Sequence, residues 1–264
     1  MNKASINIAL VGCGRISIKH FEAIEFHKNE LKLVAVCDIN KKVAEQVGEK
    51  YNVPFYTSIN DMIKNHELDI CSLCTPSGLH STQTILLANN KINIITEKPM
   101  ATSWKDGLKM VRVCEENNVN LFVVKQNRFN STLQKLKQAI EEKRFGKFYL
   151  IQLNVFWTRP QSYYDSADWR GKPDSDGGAL MNQASHYVDL AEWLIGPVAE
   201  VQAMIGTLAR KIEVEDTGVV NIKWENGALG SVAVTMLTYP KNYEGSITII
   251  GEHGTVSISG EALN

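Results

Sequence analysis

The residues best suited to chemistry begin at the first turn. Gly12-Cys13-Gly14-Arg15-Ile16-Ser17 follows an apolar run and opens a helical stretch. A glycine at 12 permits a tight turn, and one at 14 lets a pyrophosphate approach backbone at a helix N-terminus. Ser17 stands where a third glycine or an alanine is usual, and it is small enough for close helix–strand packing. Asp38 ends the next apolar run, where a carboxylate accepts from adenosine ribose hydroxyls and repels a 2′-phosphate. The group predicts a dinucleotide site favouring NAD over NADP, with Gly12, Gly14, Arg15, Ile16, Asp38 and Ile39 against the cofactor. Lys41 and Lys42 dilute that preference, and capping the next helix is the alternative task for Asp38.

Thr75-Pro76-Ser77-Gly78-Leu79-His80 is a turn at a strand's carboxyl end. Ligands of open α/β sheets bind outside such ends, so Thr75, Pro76, Ser77 and His80 are expected to shape the cofactor loop. Thr96-Glu97-Lys98-Pro99 follows another strand. A Lys-Pro bond can be cis, which would turn the lysine sharply. In the second half, Gly177-Gly178 opens a helix running to about Ile195, with Asn182 and His186 at i and i+4 and Asp189 on the same side. On an α-helix this spacing gives one face. Histidine titrates near neutral pH and suits removal of an alcohol proton, although on an amphipathic helix it is more often structural.

These groups need elements to hold them. Residues 6–11, 31–37, 68–74, 92–96 and 121–124 are continuous apolar runs that read as strands. Helical spacing in Ile18, Phe21 and Ile24, then over residues 43–51, 82–89 and 104–116, separates them. That alternation predicts a parallel sheet covered on both faces, an α/β Rossmann domain over residues 1–124. Beyond it come a helix over 132–143, a strand over 148–158 and the Gly177-Gly178 helix. Strands then follow one another, with tight hairpins at Glu225-Asn226-Gly227 and across 251–254. Residues 125–264 therefore read as an α+β domain with an open, mainly antiparallel sheet.

The 264 residues carry 28 Lys+Arg against 29 Asp+Glu, which argues against a dedicated nucleic-acid binder. A hydrophobic content of 44% excludes a disordered chain. No apolar run reaches the roughly 18 residues of a membrane span. Leu10-Val11-Gly12-Cys13 mimics a lipoprotein box, but the apolar stretch before it is too short for a signal peptide, so a cytoplasmic location is expected. The five cysteines are odd in number and scattered, which does not suggest a disulfide framework. Cys71 and Cys74 lie three apart on a strand and so point to opposite faces. A second CxxC is absent, and no metal site is expected.

As a set, the glycine turn, the 75–80 turn, Glu97-Lys98-Pro99 and the Gly177-Gly178 helix with His186 resemble the glucose–fructose oxidoreductase/inositol dehydrogenase family (Gfo/Idh/MocA). The resemblance implies a dinucleotide-binding domain followed by a substrate-binding and oligomerisation domain. It implies that Lys98, after Glu97, lies beside the nicotinamide and the reacting carbinol, with His186 the main base. Many members have Asp where this chain has Asn182. Asparagine cannot take a proton, so the relay has no carboxylate at this position and Asn182 can only orient groups by hydrogen bonding.

Residues 122–129, 156–165, 181–189, 212–218 and 235–242 further resemble the branch of UDP-N-acetylglucosaminuronate 3-dehydrogenases (WlbA/WbpB type). That branch oxidises the C3 hydroxyl of UDP-2-acetamido-2-deoxyglucuronate with NAD, for surface-polysaccharide sugars, and is associated with 2-oxoglutarate as the acceptor that regenerates NAD. Such a substrate needs cations for its pyrophosphate and carboxylate. Lys125, Arg128 and Arg159 are the candidates, each with a surface charge or ion pair as its alternative. Asn127 and Tyr164 are expected at the substrate, and Gln126, Trp169 and Arg170 at the cofactor. Rival readings are a dehydrogenase of another sugar, inositol or sugar acid, and a noncatalytic dinucleotide-responsive sensor. The resemblance also implies a homotetramer or homodimer, with Ile247, Ile249 and Val256 as apolar surface for it. Members generally continue past the last hairpin, so a further segment after Asn264 is expected.

Overall fold

The computed structural model describes residues 5–260 and Leu263. The chain divides into two compact units, Met1–Val124 and Lys125–Asn264. In the first, β1 (Ile6–Val11), β2 (Leu31–Cys37), β3 (Phe55–Tyr56), β4 (Ile70–Leu73), β5 (Asn93–Thr96) and β6 (Leu121–Val123) form a parallel sheet in the order β3-β2-β1-β4-β5-β6. Helices α1 (Ser17–Phe26), α2 (Lys41–Tyr51), α3 (Ile59–Asn65), α4 (His80–Asn89) and α5 (Trp104–Asn117) connect the strands. The strands are largely apolar because each sheet face carries its own core. Leu10, Phe21, Val36 and Cys74 pack in one core, and Ala9, Val11, Cys71, Leu73 and Ile94 in the other. Cys71 and Cys74 thus lie in opposite cores as free thiols, and burial pushes both thiols far up.

Strand order reverses at β1, whose neighbours are β2 and β4. Open α/β sheets bind ligands at such a reversal, outside the carboxyl ends of the strands. Two local expectations need correction. The buried stripe of α1 is Ser17, Phe21 and Ile24, whereas Ile18 is exposed; the i, i+4, i+7 register starts one residue earlier. β3 and α3 have no sequence counterpart, since a two-residue strand has no period to read and α3 buries only Met62.

The second unit contains α6 (Ser131–Glu141), β7 (Phe148–Phe156), the short α7 (Gln161–Tyr164), a π-helical turn over Ala179–Gln183 and α8 (Ser185–Ile195). Five strands follow: β8 (Val198–Gly206), β9 (Thr217–Trp224), β10 (Leu229–Thr235), β11 (Glu244–Gly251) and β12 (Thr255–Gly260). The sheet order is β12-β11-β7-β10-β9-β8, antiparallel except for the parallel β7–β10 pair. Alternate residues Ile151, Leu153 and Val155 of β7 join Tyr187, Leu190 and Leu194 of α8 in one core. Ile247 and Ile249 pair with Leu153 and Ile151 and are 1% and 0% exposed, and Val256 packs on the same core. They cannot supply the outer apolar surface expected of them, because the two-residue period turns them inward. Leu150 and Leu229, which pair with each other on the opposite face, are exposed instead, as is Val219. Among the described residues, no helix is long and apolar enough to cross a membrane.

Candidate active site

The first unit sets its candidate residues at strand ends. Gly12 has φ +89°, and a Cβ there would lie 2.7 Å from the Cys74 carbonyl carbon. A side chain would force the ends of β1 and β4 apart. At Gly14 a Cβ meets nothing within 4 Å, so the turn faces open space there. Ser17 is buried, and its hydroxyl donates to the Gly14 carbonyl at 2.6 Å. It ties the turn to the start of α1 while filling the small-residue position.

Asp38 Oδ2 accepts from the Cys13 N–H and Oδ1 from the Asn40 N–H, both at 2.8 Å. The cap of α2 is Asn40, whose side chain accepts from Lys42 and Val43, so capping is not the task of Asp38. Each carboxylate oxygen keeps acceptor capacity for a ribose hydroxyl. Arg15, Ile16 and Ile39 are exposed around this turn. The glycine cradle, the open approach at Gly14 and the acceptor at the end of β2 fit a bound dinucleotide.

After β4, Thr75 donates to Gln83 Oε1 at 2.6 Å, and a 3₁₀ turn over Ser77–Leu79 leads into α4. His80 is fully buried. Its Nδ1 lies 2.9 Å from the Pro99 carbonyl and its Nε2 2.9 Å from the Thr75 carbonyl. Burial holds its pKa below the ordinary histidine range, against the pull of those carbonyls. His80 therefore joins the 75–80 turn to the Lys98-Pro99 segment.

Lys98 is half-buried after β5, and the Lys98–Pro99 bond is cis. Glu97 Oε2 accepts from the Lys98 N–H at 3.1 Å, and Oε1 lies 2.9 Å from His20 Nε2. His20 Nδ1 is 2.8 Å from Ser72 Oγ. Burial would raise the Glu97 pKa. The hydrogen bond and charge of His20, the Lys98 N–H and the Lys98 charge bring it below the ordinary carboxylate range. His20 carried no sequence signal, because its partners are 52 and 77 residues away.

The second unit assembles its candidates through side chains. The turn over Gln126–Phe129 faces α8, and Gln126 Nε2 lies 3.2 Å from His186 Nε2. With the amide donating, Nε2 carries the lone pair, the form a base requires. Arg128 donates to both oxygens of Asp189 at 2.7 Å, and Lys125 Nζ is 3.5 Å from the same carboxylate. The Asp189 hydrogen bonds raise the Arg128 pKa. The ion-pair alternative thus holds for Lys125 and Arg128. Asn127 is half-buried on the same turn.

At the other end of this segment, Gly178 has φ +90°, and a Cβ there would run into the Glu215 carboxylate. Glu215 accepts from the Leu180 N–H at 2.9 Å and satisfies the helix start. The expected single α-helix does not form, since the π turn ends before α8 begins at Ser185. Asn182 and His186 lie on different segments, so the one-face spacing does not apply. Asn182 donates instead to Asp176, whose other oxygen accepts from the Gly171 N–H at 2.7 Å. Asp176 is 1% exposed. It places a buried carboxylate against the Asn182 amide.

Arg159 donates to the Thr158 carbonyl at 2.7 Å, and its guanidinium lies 5.4 Å from the Trp157 and Tyr163 rings. Arg170 sits 4.0 Å from the Tyr163 ring and 4.7 Å from that of Trp169. Tyr164 is buried, and burial raises its phenol pKa. It lines an open cleft of about 500 Å³ together with Asp165, Arg170, Lys172, Lys211 and Glu213.

Comparison with known proteins completes the assignment. Residues 6–125 match the oxidoreductase family with an NAD-binding Rossmann fold, and residues 133–257 match the GFO/IDH/MocA C-terminal domain. The chain belongs to the Gfo/Idh/MocA oxidoreductase family. Its first unit is the family's NAD-binding domain, and the chain is an NAD-dependent oxidoreductase. The WlbA dehydrogenase of Chromobacterium violaceum, solved with NADH and UDP-GlcNAcA, is 56% identical with a TM-score of 0.98, over 100% of this chain and 76% of that one. The WlbA dehydrogenase of Bordetella pertussis, solved with the same two ligands, is 54% identical with a TM-score of 0.97, over 98% and 80%. The D-apiose dehydrogenase of Rhizobium rhizogenes is 26% identical over 98% of this chain and 75% of its own length.

Proposed function

We propose that this chain oxidises the C3 hydroxyl of UDP-2-acetamido-2-deoxyglucuronate to a ketone with NAD. The carrying observation is the identity above one half, over essentially the whole chain, to two dehydrogenases solved with NADH and this UDP-sugar. When bound, NAD supplies the hydride acceptor. Asp38 and the Gly12–Ser17 turn hold the dinucleotide. Lys98 and His186 are the two candidates for accepting the hydroxyl proton, and Asn182, held by Asp176, orients substrate by hydrogen bonding. Arg159 and Arg170 recognise the anionic parts of the substrate or cofactor, and Arg128 and Lys125 do so by exchanging part of their pairing with Asp189. The reaction belongs to the cytoplasm, in a homo-oligomer, with 2-oxoglutarate as the acceptor that returns NADH to NAD.

The test is NADH formation by purified protein on the UDP-uronic acid, with D-apiose and myo-inositol as competing substrates. A parallel arm with 2-oxoglutarate detects turnover in which NADH never accumulates. Oxidation of a free sugar or inositol in preference to the nucleotide sugar would overturn the substrate assignment. A dinucleotide-binding protein that oxidises none of them would favour the sensor reading.

A further inference from the structure

We propose that His20 is a positioning residue for Lys98, acting through Glu97, while His80 holds the following residue from the other side. The peptide N–H of Lys98 donates to Glu97, and the carbonyl of Pro99 lies 2.9 Å from His80. The backbone on both sides of the Lys98 side chain is thus tied to buried side chains. A glutamate has three side-chain torsions, and its ordering must be enforced from outside. His20 does this by meeting Oε1 at 2.9 Å, and Ser72 fixes the imidazole through Nδ1 at 2.8 Å.

An ionised carboxylate only accepts, so His20 Nε2 donates to Glu97; in the neutral ring Nδ1 then accepts from the Ser72 hydroxyl, and in the charged ring Nδ1 donates to it. The His20 and Glu97 side chains are 13% and 10% exposed, and Ser72 is 1% exposed. The row mimics a serine–histidine–acid relay, but its serine is sealed from any substrate. Its open end is the backbone of Lys98. A chain of hydrogen bonds from α1 through β4 to the end of β5 therefore sets where the lysine starts from the sheet. Misplacement of a reacting group by about 1 Å can cost about 100-fold in rate.

The inference rests on the reading of Lys98 as the group beside the reacting carbinol, so one readout is chosen that needs no substrate. In NAD-loaded full-length protein, His20→Leu is expected to lower kcat by about 10- to 100-fold, with KM for the UDP-sugar and Kd for NADH changed less than about threefold. His20→Gln, whose amide can still donate to Glu97, is expected to recover most of that loss. The second readout is the acetylation rate of Lys98 by acetic anhydride, read by mass spectrometry against exposed Lys105. It should change in His20→Leu and return in His20→Gln. His20→Asn, polar but too short for Glu97, replaces the leucine variant if that one does not fold. If no variant turns over the sugar yet the labelling ratios separate, the clamp stands and the substrate reading falls. Unchanged labelling and kcat in His20→Leu, with only Tm lowered, would reduce His20 to a packing residue and overturn the proposal.

Discussion

The two units hold their candidate residues by different means. In the first, the candidate positions are backbone positions, where strand ends and tight turns are secured by side chains bonding main-chain groups. Asp38 holds Cys13, Glu97 holds Lys98, and His80 bridges Thr75 and Pro99. In the second, the candidate side chains are secured by other side chains, as in Arg128 with Asp189, Gln126 with His186 and Asn182 with Asp176. A backbone-fixed site tolerates little movement. A site held by side-chain pairs can exchange one partner for a ligand group, which suits recognition of a large charged substrate.

That contrast can be broken most severely at Lys98. Lys98→Ala is expected to lower kcat by roughly 10²- to 10⁴-fold, the range for loss of a proton-transferring group, and initial rates on the UDP-sugar with near-normal NADH binding are the check. Gly12→Ala should cost about 1–3 kcal/mol of stability and most cofactor affinity, since its backbone conformation and the Cys74 carbonyl leave no room. Denaturant unfolding and NADH fluorescence titration measure the two effects.

In the second unit, Asp189→Asn leaves Lys125 and Arg128 without their shared carboxylate. A loss of about 1–2 kcal/mol is expected, moderated by the exposure of Arg128. Asn182→Asp should be milder in stability but should add a new acid limb to the rate profile. It places two carboxylates in contact, so one must hold a proton to higher pH. The exchanged pair Asp176→Asn with Asn182→Asp should remove that limb.

The smallest separation is in pH dependence. Burial lowers the folded pKa of His80, so the stability gained from its neutral form is present above the unfolded value of about 6.5 and is lost as pH falls through and below it. Asp216 is buried, which would raise its pKa, but the N–H groups of Leu208, Ala209 and Arg210 depress it. Its contribution is present above the ordinary carboxylate range and lost only in stronger acid. Native-state hydrogen exchange between pH 7 and 5 should therefore weaken around the 75–80 turn before the 207–216 loop. Equal weakening of both would erase this difference.

The same contrast explains what could be read from the sequence. The first unit is legible because its strands are continuous apolar runs and its site residues follow them directly, as Gly12, Asp38, Thr75 and Lys98 do. His20 was not legible, since its significance lies in partners on distant strands. In the second unit the β9–β10 hairpin announced itself through Glu225-Asn226-Gly227. The pairing of Arg128 with Asp189 spans 61 residues and left only two unrelated charges in the sequence. The π turn was hidden for another reason: an α-helical spacing of i and i+4 is indistinguishable in sequence from one that a wider turn interrupts. The turn widens in company with Glu215, whose carboxylate reaches the Leu180 N–H from 35 residues downstream.

The parallel pairing of β7 with β10 bears on the order of assembly. Leu150 finds Leu229, and β11 pairs with the other edge of β7 only later in the chain. During synthesis the first unit can close strand by strand through local crossovers. The central strand of the second sheet waits with both edges open until residues 229–251 have emerged. Closing such long loops slows the search, and an open apolar strand is the point at which a nascent chain is most prone to join another.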